Sequence, residues 1–332
     1  MFEPSYRIFP AMPFFSLKTD FKGERQEPVF NRKHHSVPAN IQIRVPPNDP
    51  VAISTQQLAG PNPEDELFDP VRLPAARKAL QTMPMPDENA RRYLEKHIPR
   101  LSRTVALIPP PAETGRILEL GCYIQITPLL STICGYPEVR GAYFGPAGRI
   151  DTKTVGGFTC KVDHFDAERD SFPYPEGHFD VVVAGEIIEH MIYDPMHLVV
   201  ESRRVLREGG ALIVTTPNVG SITSAIKAFE GRDNPQIFFL YKRPDPNEEP
   251  EIGHMREYTA FELGETMRAG GFEVERLFTT FIDEYAQHRP WLDLVEACGF
   301  SIENRGEQTW CVARKRGNLP VDRYPWFLYS PA

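Results

Sequence analysis

No run of apolar residues in this chain reaches the roughly 20 residues that a membrane-spanning helix needs, so no membrane association is expected. The opening stretch, MFEPSYRIFPAMPFFSLKTDF, lacks a basic start and an unbroken apolar core, and reads poorly as a secretory leader. Cysteine is sparse. Cys122, Cys134, Cys160, Cys298 and Cys311 are odd in number, irregular in spacing and without a CxxC pair. That pattern excludes a disulfide framework and points to free thiols in a reducing, cytoplasmic setting. Positive charge is in deficit, with 37 Lys and Arg against 45 Asp and Glu, a formal net charge of −8. Such a balance weighs against a dedicated nucleic-acid binder, whose face must meet phosphates with cations, although it leaves room for a local basic patch. Internal repeats and low-complexity tracts are absent as well.

What is present is an ordinary globular composition, 41% hydrophobic and 25% charged over 332 residues, enough for one large domain with additions or for two domains. Proline is unevenly spread: 14 of the 33 fall in residues 1–86. Proline fixes φ and removes a donor, so few long regular elements are expected there beyond a short extended piece near Ile41–Val45. The aromatics Phe2, Tyr6, Phe9, Phe14 and Phe15 argue against full disorder. This segment could wrap the main domain, pair with a second chain, or lack fixed structure.

From residue 87 the pattern changes. Asp87 is placed to cap a helix, and from Gly115 onward apolar strands alternate with amphipathic helices. RILEL, VRGAYF, FTCKVD, FDVVVAG and ALIVTTP read as five successive strands, and FEVERLFTT and TWCVARK as two late ones. FDVVVAG is apolar throughout, as suits burial on both faces. Asp194-Pro195 opens a helix that presents Leu198, Ser202, Val205 and Leu206 on one face and is expected to stop at Gly209-Gly210. Thr259 and Glu262 form a capping box for a helix ended by Gly270-Gly271. The expected fold is α/β and Rossmann-like: a doubly wound, mostly parallel, seven-stranded sheet with helices on both faces. The expected organisation is a Pro-rich extension over 1–86, a main domain over 87–316 with an irregular insertion at 218–257, and an irregular arm over 317–332, which could pack across a homodimer.

In such sheets ligands bind at the carboxyl ends of the strands, where the strand order reverses. Four segments arrive there. Glu119 and Gly121 close the first strand, and a glycine there allows both a tight turn and a close approach of backbone to ligand. Asp166, Ala167 and Glu168 follow the third strand, where an acid can accept from an adenine amino group; a solvated acidic loop is the alternative. Glu186, Glu189 and His190 follow the fourth strand at i, i+3, i+4, which would place all three on one face of a helix beginning there. Two carboxylates and an imidazole can hold a divalent cation, or one glutamate can touch a ligand while the histidine packs. His254 closes the insertion as a fourth metal ligand, a general base or a surface residue. The insertion also carries Phe229, Phe238, Phe239, Tyr241, Lys242 and Arg243, a mixture suited to stacking on a ring and holding an anionic group, or to packing the insertion onto the domain.

Taken together, DAERDSFPYPEGHFDVVVAGEIIEHMIYDPMHLVVESRRVLREGGALIVTTPN and HMREYTAFEL…GGF resemble the class I S-adenosylmethionine-dependent methyltransferases over about Arg91 to Arg316. The resemblance implies S-adenosylmethionine as cofactor. It implies Glu119 and Gly121 at the methionine part, Asp166 and Ala167 at the adenine, and Gly185 and Glu186 beside the cofactor. Two places depart from the family. Tyr123 and Gln125 stand about where two further glycines are usual, and Tyr143 stands where an acid usually holds the ribose hydroxyls. Glu186, Glu189, His190 and His254 also resemble the metal constellation of small-RNA 2′-O-methyltransferases and, in part, of ubiquinone-pathway O-methyltransferases. The implied activity is methyl transfer to a hydroxyl of a saccharide or natural-product small molecule, with His254 or His190 as base. The altered first motif keeps open a methyltransferase fold that only binds or regulates, and the metal resemblance an RNA ribose methyltransferase.

Overall fold

The computed structural model describes residues 63–85, 87–231, 233–236, 253–282, 285–320 and 322–330. Its helices are α1 (Arg72–Thr82), α2 (Glu88–Leu107), α3 (Thr127–Thr132), α4 (Pro195–Val205), α5 (Ile222–Glu230), α6 (Ala260–Ala269) and α7 (Tyr285–Ala297). Its strands are β1 (Arg116–Leu120), β2 (Glu138–Tyr143), β3 (Ile150–Val155), β4 (Phe158–His164), β5 (Phe179–Gly185), β6 (Leu206–Pro217), β7 (Phe272–Thr280) and β8 (Gln308–Lys315). One sheet runs in the order β3-β4-β2-β1-β5-β6-β8-β7. Parallel pairing joins β4, β2, β1, β5 and β6, while β3 and β8 run against their neighbours.

Side-chain alternation along the strands divides the core in two. Ile117, Val181, Val183, Ala211, Ile213, Trp310 and Val312 face one layer, with residues of α1, α2 and α3. Leu118, Val182, Ala184, Leu212, Val214, Cys311 and Ala313 face the other, with residues of α4 and α6. Both faces of the central strands are dry, which is why FDVVVAG has no polar alternation. Each such Val, Leu or Ile side chain stabilises the fold by about 1.5–3 kcal/mol.

The caps expected from sequence are in place. Asp87 accepts from Ala90 N, Asp194 from Met196 and His197 N, and Thr259 and Glu262 close a capping box. Several expectations are corrected. The sheet has eight strands, not seven. The additional one, β3, forms a hairpin with β4 through Gly156 and Gly157, both left-handed, as a two-residue turn between right-twisted strands requires. The helix begun at Asp194 ends at Val205, and Gly209-Gly210 lie inside β6 instead of stopping it. The insertion is not irregular throughout, since Ser221 caps α5. Tyr285–Ala297 is a helix that no sequence signal had marked, carrying Pro290 within it.

Upstream of residue 87, Phe68, Leu73, Ala76 and Leu80 pack into the same core as Leu94 and Leu101 of α2, so the core of the main domain reaches into the Pro-rich segment. The piece near Ile41–Val45 lies outside the described residues. The described residues after 316 form no helix or strand and are anchored by Tyr329, whose hydroxyl donates to Asp194 Oδ1 at 2.5 Å and accepts from Met196 N at 3.1 Å. Among the described residues no helix is long and apolar enough to cross a membrane, and all five cysteines are free.

Candidate active site

Strand order reverses at β1 and β5, and the loops leaving these two strands flank the crevice between them. In the β1 loop Gly121 takes φ +66, and a Cβ built there would stand 3.1 Å from Ile187 Cδ1 of the β5 loop. Cys122 N donates to the Ala142 carbonyl at 2.9 Å, tying the turn to β2. Ile124 is then left-handed at φ 63 while only 8% exposed, an unusual state for a β-branched residue. The chain keeps a backbone path that glycine would follow without strain, and fixes it by burying the isoleucine among Cys122, Cys160 and Val162.

Glu119 is buried at the end of β1 and accepts from Thr127 Oγ1 at 2.6 Å, at the start of α3. Burial, with Cys122 nearby, pushes its carboxyl well above the usual range. Tyr123 and Tyr143 meet at the lip of the crevice. Their rings lie edge to face at 5.2 Å, and the Tyr143 hydroxyl donates to that of Tyr123 at 3.3 Å. The β3–β4 hairpin supports this corner: Asp151 Oδ2 lies 3.0 Å from His164 Nε2, and the His164 ring stands edge-on to Tyr143 at 6.2 Å.

Beyond β4, Asp166 Oδ1 accepts from Glu168 N at 2.9 Å, and Asp170 Oδ2 accepts from Asp166 N at 2.8 Å, which folds the Asp166-Ala167 turn back on itself. Glu168 then reaches the loop before α4, accepting from Tyr193 N at 2.7 Å and Asp194 N at 3.0 Å.

The β5 loop differs from the expected helix face. Glu186, after Gly185, is left-handed at φ 55, and Ile188–His190 form a single 3-10 turn. Glu186 Oε1 accepts from Thr215 Oγ1 at 2.7 Å and from Gln308 Nε2 at 2.9 Å, which directs it toward β6 and β8. Glu189, His190 and His254 come together instead, each offering one ligand atom within 4.8 Å of the others. The expected four-residue set is therefore a set of three, without Glu186. Glu189 is wholly buried; its Oε2 accepts from Thr216 Oγ1 at 2.9 Å, while Oε1 has no hydrogen-bond partner. Burial, and then the Glu186 charge, hold its carboxyl well above the usual range.

His254 arrives on a strap folded over the 3-10 turn. Met255 N and Arg256 N donate to the Glu189 carbonyl at 2.8 and 3.2 Å, and His190 Nδ1 lies 3.3 Å from the Gly253 carbonyl. The His190 and His254 rings stand edge to face at 4.7 Å. Glu257, which the sequence reading passed over, lies 2.9 Å from His254 Nδ1. The i, i+3 spacing of His254 and Glu257 is its one signal in the sequence. Phe229 is 82% exposed on α5; Phe238, Phe239, Tyr241, Lys242 and Arg243 lie outside the described residues.

A sequence-family profile described as a methyltransferase domain matches residues 87–277. The chain belongs to the class I S-adenosylmethionine-dependent methyltransferases. The chain is 38% identical over 109 residues to a Mycolicibacterium smegmatis protein named as a probable S-adenosylmethionine-dependent methyltransferase, covering 33% of this chain and 34% of the other. A similarly named Mycobacterium tuberculosis protein is 34% identical over 112 residues, covering 34% of this chain and 33% of the other. The chain thus spans about a third of the length of these curated relatives.

Two solved structures are more distant likenesses. A Thermotoga maritima methyltransferase has TM-score 0.43 and 19% identity, covering 68% of this chain and 93% of that one. A methyltransferase in complex with the Haloferax volcanii Trm112 methyltransferase activator has TM-score 0.43 and 15% identity, covering 68% and 91%. The family's cofactor, S-adenosylmethionine, carries no phosphate, so its loop need not cradle an anion. The residues present fit such a group: at Gly121, where a Cβ would stand 3.1 Å from Ile187 Cδ1 of the β5 loop, the chain has a glycine and the backbone stays bare.

Proposed function

We propose that this methyltransferase transfers a methyl group from S-adenosylmethionine to a hydroxyl of a saccharide or natural-product small molecule. The observation that carries the reading is the gathering of Glu189, His190 and His254 at the carboxyl end of β5, beside the β1–β5 crevice. When bound, the cofactor supplies an electrophilic methyl on a sulfonium. The chain's task is to hold the acceptor oxygen in line, exclude water and take a proton as the hydroxyl reacts.

In this reading Gly121 and Glu119 meet the methionine part, and the Tyr143 and Tyr123 hydroxyls take the place of the ribose-binding acid. Asp166 and Ala167 meet the adenine, and Gly185 lines the crevice. Glu186 orders the β5 loop through Thr215 and Gln308 and does not reach the acceptor. His254 and His190 face the acceptor as base, or together with Glu189 would hold a divalent cation that makes a separate base unnecessary. Such a cation would lower the hydroxyl's pKa and fix a neighbouring oxygen. Exposed Phe229 offers an apolar face for a ring-bearing acceptor.

The test has two arms. Calorimetric titration with S-adenosylhomocysteine is expected to show one binding site. Labelled S-adenosylmethionine with panels of saccharides and phenolic acceptors is expected to give an alkali-stable, ether-linked product. Binding without transfer to any hydroxyl acceptor would favour a fold kept for binding or regulation.

A further inference from the structure

Two ring nitrogens fix the chemistry at the end of β5. His190 Nδ1 lies 3.3 Å from the Gly253 carbonyl oxygen, and His254 Nδ1 lies 2.9 Å from Glu257 Oε1. A carbonyl oxygen cannot donate and a carboxylate oxygen accepts, so each Nδ1 is the donor of its hydrogen bond. A neutral ring then has its lone pair on Nε2. Both imidazoles are set to act through the same kind of atom, and both stand with a buried carboxylate whose Oε1 lacks a hydrogen-bond partner. The Glu257 side chain is itself fully shielded from solvent, and the backbone bonds from Met255 and Arg256 to Glu189 leave the strap little freedom to shift.

Resting on the proposed reading of this cluster as part of the acceptor site, we propose that Glu257 is a positioning residue. Its carboxylate holds the proton on His254 Nδ1 and so completes a Glu189–His190–His254 seat for a divalent transition-metal ion. A carboxylate behind a ligating histidine fixes the tautomer and raises the basicity of the nitrogen that ligates. Two imidazoles and one carboxylate suit ions of the Mn²⁺-to-Zn²⁺ series, whereas Mg²⁺ and Ca²⁺ are served by all-oxygen sets. The unpartnered Glu189 Oε1 is the second sign of an absent ligand, because a buried carboxylate oxygen left unpaired is otherwise destabilising.

Co²⁺ is the probe. Calorimetric titration of the metal-stripped full-length protein is expected to show one Co²⁺ site, with Mg²⁺ giving no heat. Glu257→Gln keeps the shape and removes the charge; it is expected to weaken Co²⁺ binding by about 10- to 100-fold while S-adenosylhomocysteine binding stays unchanged. A second measurement needs no variant to fold in its own right. Long-range ¹H–¹⁵N spectra of protein labelled at histidine are expected to show His190 and His254 as Nδ1–H tautomers, with His190→Asn and His254→Asn used only to assign the signals.

Co²⁺ affinity unchanged by Glu257→Gln, or His254 found protonated on Nε2 alone, overturns the role of Glu257. Heat with Mg²⁺ equal to that with Co²⁺ overturns the transition-metal assignment. Wild-type protein that binds S-adenosylhomocysteine but no Co²⁺ overturns the seat and leaves the methyl-transfer reading standing, while protein that binds neither overturns that reading beneath it.

Discussion

The loops leaving β1 and β5 flank the same crevice, yet they depart from helix-and-strand geometry in opposite ways. The β1 loop carries Tyr123 and Gln125 and still turns through two left-handed residues: Gly121 and Ile124 both have positive φ, and Ile124 is held there by burial. The β5 loop has kept chemically active side chains and rearranged their directions. Left-handed Glu186 turns to Thr215 and Gln308, while Glu189 and His190 meet His254. One loop shows that a ligand turn is defined by its dihedrals, which packing can impose on a residue that disfavours them. The other shows that carboxylates three residues apart can serve different ends once a single φ changes sign.

Substitutions in the two loops should therefore separate binding from turnover. The largest effect is expected at His254. His254→Ala should lower methyl transfer by about 10²- to 10⁴-fold, the span of general acid–base contributions, with S-adenosylhomocysteine affinity unchanged in calorimetry. An equal loss of both would make His254 a structural residue and erase the contrast between the loops. Gly121→Val should act the other way. A β-branched side chain at φ +66, pressed against Ile187, adds about 1–3 kcal/mol of strain and should weaken S-adenosylhomocysteine by about 5- to 160-fold. Binding untouched by this change would mean that the cofactor does not use the β1 turn.

A smaller effect is expected at the phenol pair. Tyr143→Phe removes one hydroxyl worth about 0.5–1.5 kcal/mol and should raise the S-adenosylhomocysteine dissociation constant by about 2- to 12-fold. Tyr143→Asp, which restores the family's acid, sharpens the comparison: recovery of wild-type affinity would assign Tyr143 to the ribose hydroxyls.

The smallest effect should come from a site outside both loops. Burial pushes the Glu64 carboxyl from 4.5 up to about 7, against hydrogen bonds from Phe281 N and the nearby Arg103. Between those values the folded chain holds a proton that the unfolded chain releases, so this group's contribution makes stability fall as pH rises through that window. Glu64→Gln should flatten that slope in thermal melts at about pH 5 and pH 8 without altering cofactor binding. An unchanged slope would assign the pH dependence elsewhere.

Much of the frame was legible in the sequence. The strands announce themselves by period or by unbroken apolarity, and Asp87, Asp194 and the Thr259–Glu262 pair cap helices as their types require. The β3–β4 hairpin was missed despite the Gly156-Gly157 pair at its turn, because its strand Ile150–Val155 is mostly polar and exposed and so carries no burial signal. Helix α7 hides behind Pro290, and Arg72–Thr82 behind the prolines around it.

The sequence by itself determined the doubly wound sheet, the placing of four segments at its carboxyl edge and the kinds of side chain they bring. Those follow from local periodicity, caps and turn residues, which act over a few positions. Only the tertiary structure decided that Glu189 and not Glu186 joins the two histidines, and that Glu257 stands behind His254. Both depend on a strap some sixty residues downstream folding over a 3-10 turn, and on donors from β6 and β8 claiming Glu186. Spacing along the chain fixes a direction in space only while the backbone stays helical, and at Glu186 it does not.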